Sequence, residues 1–171
     1  MEISRMRRKD REIKDNEEIS KILNKQNICH LAMCTDDQPY VIPMIFAYEA
    51  NALYFHCAEV GMKLDILRRN NKVCFEVQHS NTEKVIENTH KPCDWGISYE
   101  SIVGFGMAEI LNDRVEKIKA YNLLVDKLKP TGYEHRDDLY TDKKINGTFI
   151  IKVNIDSMTG KRWDGLKPNV I

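Results

Sequence analysis

Residues 53–65 read LYFHCAEVGMKLD and gather an imidazole (His56), a thiol (Cys57), a glycine (Gly61) and an ammonium (Lys63) around one strand-to-helix corner. An imidazole exchanges protons near neutral pH, and a thiol is a nucleophile, a metal ligand or a small buried hydrophobe. Gly61-x-Lys63 at a helix start combines unpaired backbone N–H groups, the positive end of the dipole and a point charge, which suits a phosphate; a plainly solvated lysine is the simpler alternative. Side chains alternate along a strand, so His56 shares a face with Tyr54, whereas Cys57 joins Leu53 and Phe55 towards the core. Core packing is then the expectation for Cys57, while His56 is open to either a site role or a structural one.

Soft metal ligands occur in pairs, Cys29-His30, His56-Cys57 and His90-x-x-Cys93. No Cys-x-x-Cys knuckle accompanies them, and strand neighbours point to opposite faces, so neither adjacent pair closes on one ion and no metal site is expected. The run VIPMIFAY (41–48) carries no charge and contains Pro43, which belongs on a sheet edge or at a bulge and leaves backbone groups open to a flat heterocycle. Gly104 and Gly106 share a strand face that a ligand or another backbone can approach closely. This Gly-x-Gly is no dinucleotide fingerprint, because it falls inside a strand and lacks the third glycine and the helix.

The elements that must position these residues follow from periodicity. Asp15 and Glu18 form a capping box ahead of Ile19, Ile22 and Leu23, predicting a helix over about 16–25. Six runs, ICHLAMCT, VIPMIFAY, ALYFHCA, KVCFEVQH, YESIVGFGMAEIL and TFIIKVNI, read as strands, the first three joined as an antiparallel meander by DDQP and EAN. Two further helices are expected: one at about 61–69 with Val60, Leu64 and Leu67 on one face, another at about 114–128 opening on Asp113/Glu116 and burying Val115, Ile118, Leu124 and Leu128. The segments 80–98 and 130–147 show no periodicity and read as long loops, and a tail follows from about 157. The pattern predicts a mainly β protein with flanking helices, a six-stranded antiparallel barrel.

With 171 residues, a single domain spanning 1–171 is the expectation. Lysine plus arginine (26) balances aspartate plus glutamate (26), so no positive field favours nucleic acid or an anionic membrane as partner. The charged start MEISRMRRKDREIKD has no apolar stretch behind it, as in a protein without a secretory signal or membrane anchor. Five cysteines, mostly within apolar runs, read as free thiols of a reducing compartment, and a cytoplasmic location is expected.

The ordered motifs MRRKDREI, a helix, ICHLAMC, PYVIPMIF, LYFHCAEVGMKLD and YESIVGFGMAEI resemble the split-barrel FMN-binding proteins related to pyridoxamine 5'-phosphate oxidase, above all their nitroimidazole-resistance branch. The resemblance implies a homodimer with flavin in clefts at the interface. By position, Val41, Ile42, Pro43 and Met44 would meet the isoalloxazine edge, His56, Cys57 and Ala58 would line ring and ribityl, Lys63 would hold the phosphate, and Ser101 would add a polar contact. Relatives that oxidise vitamin B6 carry an arginine and a lysine where this chain has Val41 and Phe46, and an arginine-containing terminal segment that KRWDGLKPNVI does not reproduce. Arg7 or Arg8 is then a candidate to supply phosphate charge, and FAD stands as the alternative to FMN.

The resulting expectation is a flavin-dependent reductase that takes electrons from NAD(P)H through FMN to a small acceptor, a nitroaromatic such as 5-nitroimidazole, with His56 at the reacting end as the catalytic candidate. The rival is a flavin- or haem-binding split barrel without turnover.

Overall fold

The computed structural model describes residues 6–86, 95–134, 140–141, 144–145 and 147–164, so His90 and Cys93 lie outside the described residues. A short 3₁₀ turn (Lys9–Arg11) leads into β1 (Glu12–Ile13), α1 (Asn16–Lys25), β2 (Ile28–Thr35), β3 (Gln38–Ile45), β4 (Ala47–Glu49) and β5 (Ala52–Cys57). Then come α2 (Met62–Arg69), β6 (Lys72–Ile86), β7 (Gly96–Ile110), α3 (Arg114–Leu128) and β8 (Phe149–Trp163). The eight strands pair antiparallel in the order β3-β2-β6-β7-β8-β5-β4, with β1 against the end of β8.

The two tightest connections follow from backbone chemistry. Asp36-Asp37 and Ala50-Asn51 all take positive φ, the hand that matches the twist of paired strands, and they close the β2–β3 and β4–β5 hairpins. The expected meander of three runs is divided, however. VIPMIFAY breaks at Phe46 because β3 pairs with β2 while β4 pairs with β5, so one sequence run ends on opposite edges of the sheet. The Phe46 side chain is fully buried at this switch, and its backbone N–H donates to the Asn27 carbonyl at 3.4 Å. Pro43 duly falls on an edge strand, where its missing donor costs nothing.

The other departures have a common cause. β6 runs on to Ile86, β7 begins at Gly96 and β8 continues to Trp163, so much of the expected loop at 80–98 and of the tail after 157 is ladder. These extensions are polar, and pairing holds them: Ser101 lies opposite Lys161 and Tyr99 opposite Trp163. Hydrophobic periodicity is blind to a strand whose neighbours rather than its own side chains keep it in place.

Helices α1 and α3 begin on their expected aspartates. The Asp15 carboxylate accepts from the Glu17 N–H at 2.8 Å, and Asp113 accepts from the N–H groups of Val115 and Glu116. The first capping box is incomplete, because Glu18 turns away to pair with Arg162 at 2.5 Å. Val60, Val115 and Leu128 are exposed rather than buried; α2 buries Leu64, Ile66 and Leu67, and α3 buries Lys117, Ala120 and Leu124. On α3 the small Ala120 permits close approach to β4 and β5, and the Lys117 ammonium lies 5.5 Å from the Phe149 ring centroid, which lets a lysine occupy a buried position.

The barrel interior holds Leu31, Phe46, Leu53, Phe55, Phe75 and Ile102, and a second cluster of Ala47, Ala52, Tyr54, Leu111, Ala120 and Ile150 joins α3 to the outside of β4 and β5. The two strand glycines serve packing within the chain. A Cβ at Gly104 would stand 2.3 Å from the Phe75 ring, and one at Gly106 would stand 2.2 Å from the Asn154 carbonyl oxygen. Beside Gly106 the register skips Asp156, a bulge that brings the β8 backbone inward. Gly106→Ala must therefore displace backbone, and an overpacking loss of about 1–3 kcal/mol is expected in urea unfolding. An unchanged midpoint would show that the bulge yields freely.

Candidate functional site

Four elements converge on one cleft of about 390 Å³: Ile42, Pro43, Met44 and Ile45 of β3, His56 and Cys57 of β5, Lys63 of α2, and Leu124 and Leu128 of α3. The β3 wall is uncharged, and β3, an edge strand, has its ladder only on the β2 side. Cys57 is buried and His56 is exposed, as alternation along β5 requires. Burial pushes the Cys57 thiol up and the Lys63 ammonium pulls it back, a net rise that keeps the sulfur a protonated packing group.

The polar end of the cleft is the start of α2. Gly61, at the N-cap, has φ +139°, a conformation that side-chain-bearing residues rarely adopt. The first N–H groups of a helix have no partner one turn back, and the Lys63 ammonium lies near that end, 4.0 Å from where a Cβ on Gly61 would be. Backbone donors, dipole and charge thus meet at one point, which can hold an anion. Lys63 is the one cation among the described residues lining the cleft.

Six of the nine expected site residues meet here: Ile42, Pro43, Met44, His56, Cys57 and Lys63. Val41 points to solvent on the outer face of β3, and Ala58 is exposed just beyond β5. Ser101 lies opposite Gln78 and Lys161, whereas His56 lies opposite Ile150, near the other end of the β7–β8 ribbon. At strand rise the nine steps from Ser101 to Ile110 span about 30 Å, which sets Ser101 far from His56, and Ser101 does not line the cleft of its own chain. Arg8 is bound to Asp10 at 2.8 Å, and neither it nor Arg7 lines the cleft. Ile45, Leu124 and Leu128 also line the cleft; by sequence the two leucines read as helix core, and only the docking of α3 turns them to it.

A larger hollow of about 550 Å³ lies beside β1, but its charges oppose each other, with Arg11 and Arg162 among Asp10, Glu12, Asp15 and Glu18. Arg162 is there consumed by Glu18 and by Glu100 at 2.7 Å. It gathers none of the residues with site chemistry.

Phe46 turns inward, and a lysine from α3 covers it: the Lys127 ammonium sits 3.8 Å from the ring centroid and donates to the Leu23 carbonyl at 3.1 Å. This closes the carboxyl end of α1 rather than charging the cleft.

The geometry defines a split-barrel protein with a half-apolar cleft that ends at Lys63 and the start of α2. The family model described as pyridoxamine 5'-phosphate oxidase matches residues 15–162, and the chain belongs to that family. An uncharacterised protein of Rhizobium meliloti (strain 1021) is 27% identical over 157 residues, 87% of this chain and 93% of its own length. A candidate 5-nitroimidazole antibiotic resistance protein from Bacteroides thetaiotaomicron has a crystal structure with TM-score 0.73 and 28% identity, over 88% of this chain and 86% of that one. The flavocytochrome Anf3 from Azotobacter vinelandii superposes with TM-score 0.79 at 21% identity, over 96% and 76% of the two chains. Among the described residues no helix is long and apolar enough to cross a membrane.

Burial pushes Lys127 down from the ordinary lysine value to about 8, against a smaller upward pull from Cys29. The ring below favours the charged form by about 0.5–2 kcal/mol, which trims that drop without reversing it. Because the unfolded chain holds this proton to higher pH, stability should rise between about pH 8 and 10.5. Across that window the stability of wild type relative to Lys127→Met should rise with pH, and a constant difference between them would assign Lys127 an unshifted titration.

Proposed function

We propose that the chain is a flavoprotein that passes electrons from NAD(P)H through FMN to a small acceptor, with nitroaromatics as the substrate class. The observation that carries this reading is the anion seat at Gly61 and Lys63, placed at one end of a cleft whose long wall is the uncharged edge strand β3. A flavin monophosphate is a flat, largely apolar ring on a chain ending in a dianion, and the cleft offers those chemistries in that order. The flavin supplies the hydride and electron chemistry when bound. Ile42 to Ile45 would flank the ring, Lys63 and the first amides of α2 would take the phosphate, and His56 would hold or deliver a proton at the rim. The likeness to a candidate 5-nitroimidazole resistance protein supports the acceptor class, and the flavin in the name of the Azotobacter protein supports the cofactor.

A second copy of the chain completes this reading. Ile28, Val41, Ile45, Ile97 and Val103 are exposed on the same outer sheet face, and a row of opposed residues crosses it from Pro43 through His30 and Glu76 to Val103. Large apolar side chains clustered on one face mark an association surface. A two-fold pairing there would bring the partner's Ser101 towards the cleft that it does not line in its own chain, and would cover the open side of the ring.

Titration with FMN and riboflavin tests the anchor. Lys63→Ala should weaken FMN by about 10- to 100-fold, from a charge-assisted bond of about 1.5–3 kcal/mol, and leave riboflavin unchanged. Equal losses for both flavins would remove Lys63 from the phosphate. His56→Ala, saturated with FMN, should keep cofactor and lose NAD(P)H-driven reduction of a 5-nitroimidazole; full activity would return His56 to a structural role.

Light scattering should give twice the 20.0 kDa chain mass, and Val103→Asp should halve it and weaken FMN binding. A wild-type monomer with flavin bound would defeat the shared site.

A further inference from the structure

We infer that Tyr121 is a positioning residue whose ring fixes the orientation in which His56 is presented at the mouth of the cleft. The inference rests on the reductase reading for what His56 does, but not for where its ring lies.

On β5, Ala52 and Tyr54 pack under α3, and His56, the next residue on that face, emerges where the packing ends. Among the described residues the imidazole makes no hydrogen bond or ion pair, so hydrogen bonding does not choose its rotamer. Its specific neighbour is the Tyr121 ring, with centroids 6.3 Å apart and planes at 84°, the edge-to-face arrangement that ring quadrupoles favour. Tyr121 occupies the same stripe of α3 as Leu124 and Leu128, which line the cleft.

Tyr121 is itself braced from behind. The Tyr140 ring meets it edge-to-face at 6.1 Å and 86°. Tyr140 is held to α3 at two points: Arg114 donates to its carbonyl at 3.2 Å, and its hydroxyl donates to the Asn122 side-chain oxygen. The brace therefore runs from α3 through Tyr140 and Tyr121 to a ring that would otherwise turn freely at a strand end. Proton delivery is steep in geometry, so a group selected into one orientation works faster than one that samples several.

The decisive variants are Tyr121→Phe, which keeps the ring, and Tyr121→Leu, which removes it. In the ligand-free protein the His56 ring resonances, assigned by their loss in His56→Ala, should lose their ring-current displacement in Tyr121→Leu and retain it in Tyr121→Phe. In the FMN-loaded protein, Tyr121→Leu should lower kcat for 5-nitroimidazole reduction by about two- to tenfold, with KM and FMN affinity unchanged, and Tyr121→Phe should restore it. Unmoved His56 resonances in Tyr121→Leu would overturn the inference. So would a Tyr121→Phe as impaired as Tyr121→Leu, or a loss of FMN affinity parallel to the loss of kcat, which would make Tyr121 part of the flavin wall. If the wild type binds no flavin or reduces no acceptor, the reductase reading fails by itself, and the ring resonances still decide whether Tyr121 holds His56.

Discussion

The burial of Phe46 at the point where the chain leaves β2 and joins β5 is the constraint on which the other features depend. Its ring is fully buried, 6.4 Å from that of Phe55 and covered by the Lys127 ammonium, so the crossing point is held from both sides. With the crossing fixed, β3 must end as one edge of the sheet and β4 as the other. The gap between the β3 edge and the end of β5 is the cleft. A barrel whose strands all closed in sequence order would have no such opening, because its edges would be consumed by pairing.

β5 carries this geometry outward. Its Leu53, Phe55 and Cys57 fill the barrel, while Ala52 and Tyr54 lie under α3, so most of a six-residue strand is buried on both faces. Only at His56 does the second face run out of cover, and the exposed imidazole there is a consequence of where α3 stops packing on β5. The same docking turns Leu124 and Leu128 to the cleft and sets Tyr121 beside the histidine. Site chemistry and core packing are thus alternate residues of one strand.

Charge is arranged with comparable economy. The chain balances its cations and anions, and many pair across elements, as Arg162 does with Glu18 and Glu100, Lys152 with Glu109, and Lys119 with Glu49. Mostly exposed pairs of this kind add little stability. Their effect is to neutralise the surface around the sheet ends. Against that background the Lys63 ammonium lies near Gly61 with no carboxylate among the described residues lining its cleft, which leaves its field available to an anion.

The sequence by itself determined the elements with local causes. The spans of α1 and α3 follow from Asp15 and Asp113 ahead of helical periodicity, that of α2 from the spacing of Leu64 and Leu67 after Gly61, the inward Cys57 and outward His56 from period two, and the edge position of Pro43 from its missing N–H. The motif order also carried the family. Only the tertiary structure decided what depends on partners distant in sequence: the division of VIPMIFAY at Phe46, the polar extensions of β6, β7 and β8, the exposure of Val60 and Val115, and the filling of the space beside Gly104 and Gly106 by Phe75 and by the β8 bulge. It also decided that Ser101 lies at the far end of a ribbon from His56, and that Tyr121 lies against it. A local pattern records which face of a residue is apolar or which backbone group lacks a partner; it does not record which distant strand or helix will arrive to meet that need.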